Sequence, residues 1–125
     1  MSNDPYGAQV RALFDTPAHA GCLAGALSAR VEDQGVRVCL YAELAGGKIR
    51  ALRFQAWGCP HVIAAVEAFC AGYEGRLAAE LLEFSASDLM QSLSVPVEKT
   101  GRILVIEDTV RALGSIARET SISDN

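Results

Sequence analysis

The sequence lacks most of the short motifs by which enzymes and metalloproteins are recognised. Its four cysteines never form a Cys-x-x-Cys pair, so zinc-ribbon and thioredoxin-like redox motifs are absent. No glycine-rich phosphate loop occurs, because "AGGK" (45–48) lacks the second half of a P-loop and does not precede a helical pattern. Only two histidines are present, and neither has a catalytic motif around it. We therefore do not expect an enzyme.

Excess positive charge and long apolar runs are also lacking. The chain has 125 residues and a formal net charge of -4 without a basic stripe, so we expect no nucleic-acid partner. No apolar stretch approaches the roughly 20 residues that cross a bilayer. The N-terminus has no apolar region typical of a signal peptide. We therefore expect a cytoplasmic protein with no membrane partner and with reduced cysteines.

The residues that are present indicate an ordinary globular domain. Hydrophobic residues make up 50% of the chain and charged residues 21%, which argues against wholesale disorder. At this length we predict one domain over 1–125. The polar segment from about 118 to 125 is predicted to be a flexible tail.

Hydrophobic periodicity predicts a helix, then three strands, then several helices. The predicted strands alternate apolar and polar residues over 27–32, 36–44 and 49–56. The predicted helices cover 6–14, a segment beginning near 60, and then 76–84, 86–93 and about 99–117. Strands and helices that are segregated along the chain indicate an α+β fold. We predict a three-stranded antiparallel meander with helices on one face.

The stretch "WGCPH" (57–61) lies where the third strand gives way to a helix. Cys59 precedes the N-terminus of that helix, where the helix dipole favours a thiolate. This position is typical of a metal ligand or a reactive thiol, and equally of a small buried residue at a tight turn. His61 is a second candidate ligand, or else a cap or surface residue. A thiol enzyme built on Cys59 and His61 is a further interpretation, although the sequence suggests no acidic partner for it.

The other candidate metal ligands carry weaker signals. Cys39 lies on the polar face of the second strand and can approach Cys59 if that face is functional. Cys22 follows His19 by three residues in a predicted loop, so this pair supplies either ligands or ordinary loop residues. Cys70 shares the apolar stripe of its helix, which predicts a core position.

Three segments of the chain resemble segments of one known family. "IRALRFQAWGCPHVIAAVEAF" (49–69) is similar to an aromatic-containing strand that ends in Gly-Cys and continues into a helix of small residues. "LFDTPAHAG" (13–21) and "VPVEKTGRILVIEDTVRAL" (95–113) are similar to the opening and to the last helix of the same family. The family is that of the IscU-like scaffolds for iron–sulfur cluster assembly, which includes the NifU N-terminal domain. The resemblance spans roughly 5–117 and implies the IscU/NifU-like fold.

The resemblance also implies a cluster site, of which little is retained. Such scaffolds hold a nascent 2Fe–2S cluster, or zinc, with three cysteines plus an aspartate or histidine. Only Cys59 matches one of these cysteines. The other ligand positions of the family fall on residues of different chemistry: Gln34, Val36, Gly101 and Arg102. A cluster needs four donors and a guanidinium cannot ligate, so we expect a degenerate site unless other residues, such as Cys39, His61, His19 and Cys22, rebuild it.

Two functions remain open at this point. The resemblance implies an iron–sulfur cluster assembly scaffold-like protein with a degenerate site, which carries sulfur or metal through Cys59. Its cofactor would be an iron–sulfur cluster or zinc, or none. The alternative is a non-metal binding module that docks a cysteine desulfurase or another assembly protein and modulates it. The family's chaperone-recognition segment is partly retained in "VPVEK" (95–99), where Val95, Pro96 and Lys99 are candidate partner-binding residues.

Overall fold

The computed structural model of the protein describes residues 7–15, 17–93 and 95–123. Within them one helix is followed by three strands and then by helices, in the predicted order. The strands are β1 (Leu27–Asp33), β2 (Val36–Ala45) and β3 (Lys48–Trp57). The α-helices are α1 (Gly7–Asp15), α2 (Pro60–Tyr73), α3 (Ser87–Ser92) and α4 (Thr100–Ser123), with 3₁₀ helices at Ala78–Glu83 and Val97–Lys99. Tyr6, the first residue of the predicted N-terminal helix, lies outside the described residues.

The three strands form an antiparallel meander in the order β1-β2-β3, which confirms the predicted sheet. Asp33 pairs with Val36, so the β1–β2 turn consists of two residues, Gln34 and Gly35. Both have positive φ, 54° and 73°. This left-handed pair matches the twist of a tight hairpin, for which glycine is suited and glutamine is strained. The turn holds Gln34 at one end of the sheet.

One face of the sheet is apolar and is covered by helices, as predicted. Residues of β2 alternate inward and outward, and the inward ones, such as Val38 and Leu40, are fully buried. α4 packs on β1 and β2, α2 packs on β3, and α1 packs on α2. Cys70 is fully buried in this core, as predicted, and burial raises the pKa of its thiol. The largest fully buried side chains are Phe69, Leu40, Ile49, Leu52, Leu81, Ile103, Ile106 and Leu113.

The outer edge of β3 is covered by other segments of the chain. Phe54 donates its N–H to the carbonyl of His19 (2.9 Å), and Gly21 donates to the carbonyl of Phe54 (2.8 Å). Further along the edge, Ile49 donates to the Arg76 carbonyl (2.8 Å). These bonds satisfy backbone groups that an open edge would present to other chains. They also fix the segment between α1 and β1 against the sheet.

The helical boundaries differ from prediction after α2. α4 continues to Ser123, because the polar segment from 118 contains neither glycine nor proline to end it. The predicted helix over 76–84 is a 3₁₀ helix, Ala78–Glu83. The predicted helix over 86–93 is α3, whose N-cap residue, Ala86, makes no capping hydrogen bond with its side chain. None of the described helices combines the length and the apolar character that a bilayer-spanning segment needs.

Candidate functional site

Cys59 is the N-cap residue of α2, with extended φ and ψ of -77° and 167°. Pro60 occupies the first turn, where its missing N–H is not needed. Gly58 allows the end of β3 to approach the helix, because a Cβ at this position would lie 3.2 Å from the Val62 Cβ. The Gly-Cys-Pro sequence therefore sets the half-buried thiol at the start of α2.

The Cys59 thiol lies in a positively charged environment. Burial raises its pKa, but hydrogen bonds from the Val62 N–H and from the Arg102 side chain lower it. The charge of Lys99 and the His61 N–H lower it further, so the pKa of Cys59 lies below its ordinary value of 9.0. A depressed pKa increases the fraction of thiolate, which is the nucleophilic form.

His61 and Lys99 are neighbours of the thiol. The ammonium of Lys99 lies 3.2 Å from Nδ1 of His61. His61 is only 2% exposed, and burial together with the charge of Lys99 lowers its pKa. A lowered pKa means a neutral imidazole, whose nitrogen accepts a hydrogen bond from the ammonium. We call Cys59, His61, Lys99 and Arg102 the thiol site.

The positions at which the resemblance places ligands are brought towards one another. A Cβ at Gly101 would lie 3.7 Å from Oε1 of Gln34, so the β1–β2 turn meets the start of α4. The side chain of Arg102, the next residue of α4, is one of the groups that lower the pKa of the Cys59 thiol. Val36 is 2% exposed and belongs to the hydrophobic core. The fold therefore brings the β1–β2 turn close to the start of α4.

The residues around Cys59 do not fit a metal ion or a cluster. A zinc ion needs three or four N, S or O ligands, and a cluster of this kind needs four. Arg102 and Lys99 are cationic and supply no lone pair, and Nδ1 of His61 already faces the Lys99 ammonium. Across residues 7–15, 17–93 and 95–123, no three His, Cys, Asp or Glu side chains are grouped so as to hold a metal ion.

His19 is bound on both sides by carboxylates. Its Nδ1 lies 2.5 Å from Oε2 of Glu67, and its Nε2 lies 3.0 Å from Oε1 of Glu74. Burial lowers the pKa of His19, but the two carboxylates outweigh it, so the pKa is raised. An imidazole with both nitrogens donating to carboxylates has no lone pair for a metal.

The two remaining candidate cysteines lie elsewhere. Cys22 is exposed in the segment between α1 and β1. Cys39 lies on the outer face of β2, opposite Arg30 and Gln55, where it is 9% exposed. Neither cysteine forms part of a ligand group within the described chain.

The sequence reasoning missed a second polar cluster around His19. Glu74 accepts hydrogen bonds from the Leu52 N–H (2.8 Å) and from Arg53 (3.0 Å). Glu67 also accepts the His19 N–H at 2.7 Å. We call His19, Arg53, Glu67 and Glu74 the carboxylate network. The available signal was Glu67 itself, a charged residue within the apolar stripe of α2, since a buried carboxylate requires a partner.

The candidate partner-binding segment, residues 95–99, ends at Lys99, which is also part of the thiol site. Val95 and Pro96 are half-buried and lead into the 3₁₀ helix Val97–Lys99. Val97 is 87% exposed, and Trp57, two residues before Cys59, is 52% exposed. Sequence reasoning did not single out either of these two large apolar side chains.

No protein-family model and no curated protein sequence matches the chain. Solved structures do match. A hypothetical protein with a crystal structure at 2.3 Å has a TM-score of 0.72 and 16% identity, covering 88% of this chain and 96% of its own. A putative iron–sulfur cluster assembly scaffold protein for the SUF system from Fervidobacterium islandicum AW-1 has a TM-score of 0.69 and 15% identity, covering 86% and 94%.

A third similar structure is the N-terminal part of a nitrogen-fixing NifU-like protein from Brucella abortus. It has a TM-score of 0.59 and 18% identity, and the match covers 93% of this chain and 83% of that one. At such low identity the comparison concerns the backbone, and it agrees with the three-stranded meander and its covering helices. The chain has the IscU/NifU-like fold.

Proposed function

We propose that this protein is an iron–sulfur cluster assembly scaffold-like protein that carries sulfane sulfur on Cys59 instead of building a cluster. The observation that carries the proposal is a half-buried thiol at the N-cap of α2, whose pKa is lowered by the side chain of Arg102 and by the charge of Lys99 acting against burial. The fold supports the assembly context, since two similar structures are named as a SUF scaffold and as a NifU-like protein. The function implies a protein of the cytoplasm.

The chemistry is a transfer between two thiols. The Cys59 thiolate attacks the outer sulfur of a donor persulfide, R–S–SH. A new S–S bond forms at Cys59, the donor S–S bond breaks, and its electron pair leaves with the donor sulfur as R–S⁻. The proton remains with the transferred sulfur or passes to water, and no net oxidation occurs. A cysteine desulfurase is a donor of this chemical class.

The donor set favours sulfur as the cargo over metal. A persulfide needs one thiolate, which Cys59 supplies, whereas a cluster needs four donors. The cations beside Cys59 attract an anionic sulfur and repel Fe²⁺ or Zn²⁺. Cys59 with its cationic neighbours is therefore unsuited to bind a cluster but suited to carry one sulfur atom.

Exposed apolar side chains favour a second candidate function, a docking module without sulfur transfer. Val97 is 87% exposed and Trp57 is 52% exposed, and both are near in sequence to residues of the thiol site. Large exposed apolar residues are characteristic of protein-binding surfaces. In this function the protein binds a desulfurase or another assembly protein and modulates it.

Sulfur loading separates the two functions. The protein is incubated with a cysteine desulfurase and cysteine, and Cys59 is analysed by intact and peptide mass spectrometry for the mass of one added sulfur atom. We expect loading in the wild-type protein and in Cys22→Ser, and none in Cys59→Ser. Desulfurase binding without any sulfur on Cys59 would leave the docking module and reject the carrier.

A further inference from the structure

We propose that the outer edge of β1 is a self-association surface, along which a second copy of this chain adds its own β1. The two strands run antiparallel and are centred on Val31, so that the sheets of the two copies join into one continuous sheet. The inference does not rest on the proposed carrier function, because β1 lies at the opposite edge of the sheet from β3, the strand that leads to Cys59.

The two edges of the sheet differ in how far the chain covers them. Along β3, other segments form hydrogen bonds with the outer side of Ile49, Leu52 and Phe54. No comparable hydrogen bond reaches the outer side of β1 from the part of the chain that the structure describes. The outer edge of β1 therefore presents unpaired backbone groups, to which another strand can bind.

The register of the sheet indicates which groups of β1 face outwards. Phe54 directs its N–H and C=O to the covering segment at the edge of β3, so its partner Leu40 directs both groups to β1. Leu40 pairs with Ala29, which therefore bonds to β2. Because the direction alternates along a strand, the intervening residues of β1 point their N–H and C=O groups away from the sheet: Ser28, Arg30 and Glu32.

Charge selects the register between the two copies. Centred on Val31, the pairing sets Arg30 of each copy opposite Glu32 of the other and forms backbone hydrogen bonds at both pairs. Centred on Arg30 or on Glu32, the pairing would set like charges opposite each other, which is destabilising. The side chains of Arg30 and Glu32 are 60% and 55% exposed. Glu32 binds Arg37 of its own chain at 2.8 Å, but a carboxylate can accept further hydrogen bonds.

Apolar contact and helix spacing also fit this register. Val31 is half-buried against the core, and at the centre of the pairing it meets Val31 of the second copy where opposed side chains are closest. Because α4 packs on β1 and β2, the two α4 helices would lie two strand spacings apart, about 10 Å. Packed helices are commonly about 8–10 Å apart, so the joined sheet has room for both.

The test is a charge exchange between two variants. Arg30→Glu and Glu32→Arg each set like charges opposite one another in their own dimers, whereas a mixture of the two restores opposite charges at both pairs. Sedimentation equilibrium measures the mass while the protein concentration is raised from micromolar to millimolar. We expect the wild type to form a reversible dimer and each variant alone to dimerise about tenfold more weakly. We expect the mixture to regain the wild-type affinity.

The matched control is Arg50→Glu, which reverses an exposed charge on the other edge strand, β3. We expect it to dimerise like the wild type, and thermal unfolding of dilute samples checks that every variant is folded. A wild type that stays monomeric up to millimolar concentration would overturn the inference. So would single variants that dimerise as well as the wild type, because a different surface would then join the copies.

Amide hydrogen exchange gives a second readout on the unmodified chain. In the proposed dimer the N–H groups of Arg30 and Glu32 are bonded, whereas that of Ser28 lies beyond the last pair. We expect Arg30 and Glu32 to exchange more slowly in concentrated than in dilute protein, and Ser28 to exchange equally in both. An equal slowing at Ser28 would contradict the register centred on Val31. Slowing that appears only when a cysteine desulfurase is added would assign the edge to another protein and reject self-association.

Discussion

The two halves of α2 present opposite electrostatic environments. At the N-terminal end, Cys59 and His61 face cations, and the pKa of each is lowered. Further along the helix, Glu67 and Glu74 bind His19, whose pKa is raised. The two histidines of the chain are therefore driven in opposite directions, one towards the neutral form and the other towards the charged form.

The difference between the two clusters lies in how completely their groups are paired. In the carboxylate network, both oxygens of Glu67 bind His19, and Glu74 binds His19, Arg53 and the Leu52 N–H. Each charged side chain of this network pairs with one of opposite charge, and the edge of β3 is covered. Such complete pairing is typical of a structural role. The thiol site instead concentrates positive charge on one half-buried thiol. An unbalanced cluster of this kind is suited to receive an anionic group.

The largest effect is expected from breaking the carboxylate network. Glu67→Ala leaves the His19 N–H and imidazole without their main acceptor in a site where Glu67 is almost fully buried. Removing one partner of a buried ion pair costs about 3 kcal/mol of unfolding free energy. Urea unfolding of the wild type and of Glu67→Ala measures this loss. The control is Glu43→Ala, which breaks an exposed contact with Arg50 and is expected to cost less than about 1 kcal/mol. Equal losses in the two variants would contradict the structural role of the network.

The same network predicts a pH dependence of stability with two limits. The pKa of folded His19 is raised above 6.5, so its contribution is complete below pH 6.5 and is lost as the pH rises through the folded value. The pKa of folded Glu74 is lowered below 4.5, chiefly by the Leu52 N–H and by His19 acting against burial. Its contribution is complete above pH 4.5 and is lost as the pH falls through the folded value.

The network should therefore stabilise the protein most between pH 4.5 and pH 6.5. Chemical unfolding across this range and above it measures the effect. Glu67, Glu74 and Arg53 are the charged groups that face His19 or its partners. His19→Gln removes the titrating group, so its stability should fall less steeply above pH 6.5. Parallel curves for the wild type and His19→Gln would show that His19 does not supply the dependence.

The fold could be predicted from the sequence because its signals are local. Apolar and polar residues alternate in β1 to β3, and the spacing of apolar residues changes to a helical period after Cys59. Both patterns involve residues that are close together in the sequence. The end of α4 was predicted too early, since a polar segment without glycine or proline carries no stop signal and the helix continues. Ala78–Glu83 forms a 3₁₀ helix that packs against α4, and no local sequence pattern reveals this packing.

The candidate site could be predicted only in part. Cys59 was found because a thiol between strand and helix is a local feature. The effect of Arg102 on the pKa of Cys59 acts across 43 positions of the chain, from Cys59 to the first turn of α4. His19 was interpreted as a weak metal candidate, whereas Glu67 and Glu74, which bind it, lie 48 and 55 positions away. Distant pairings of this kind require the folded structure.

A smaller effect is expected on the ionisation of Cys59. Its rate of alkylation by iodoacetamide, followed as a function of pH by peptide mass spectrometry, should have a midpoint below 9.0. Arg102→Gln and Lys99→Met each remove a contribution that favours the thiolate, so the midpoint should rise in both. Glu67→Gln alters only the far half of α2 and should leave the midpoint unchanged. A midpoint shift in Glu67→Gln equal to that in Arg102→Gln would mean that the two halves of the helix are not electrostatically separate.

The smallest effect concerns the backbone that joins β3 to the thiol site. In Gly58→Ala the new Cβ would lie 3.2 Å from the Cβ of Val62, so the first turn of α2 must shift by a few tenths of an ångström. We expect a loss of about 1 kcal/mol in unfolding free energy and a small rise in the pKa of Cys59, because the Val62 N–H retreats from the sulfur.

Gly72 offers the matched control within the same helix. A Cβ at Gly72 meets nothing within 4 Å, so Gly72→Ala should stabilise α2 by about 0.5 kcal/mol through the lower entropy of the unfolded chain. Urea unfolding and the alkylation profile of Cys59 are measured on both variants. The two glycines test whether the N-terminal end of α2 is constrained by its contact with β3 or only by helix propensity. If Gly58→Ala stabilises the protein as much as Gly72→Ala and leaves the Cys59 profile unchanged, the close approach of Gly58 to Val62 does not position the thiol.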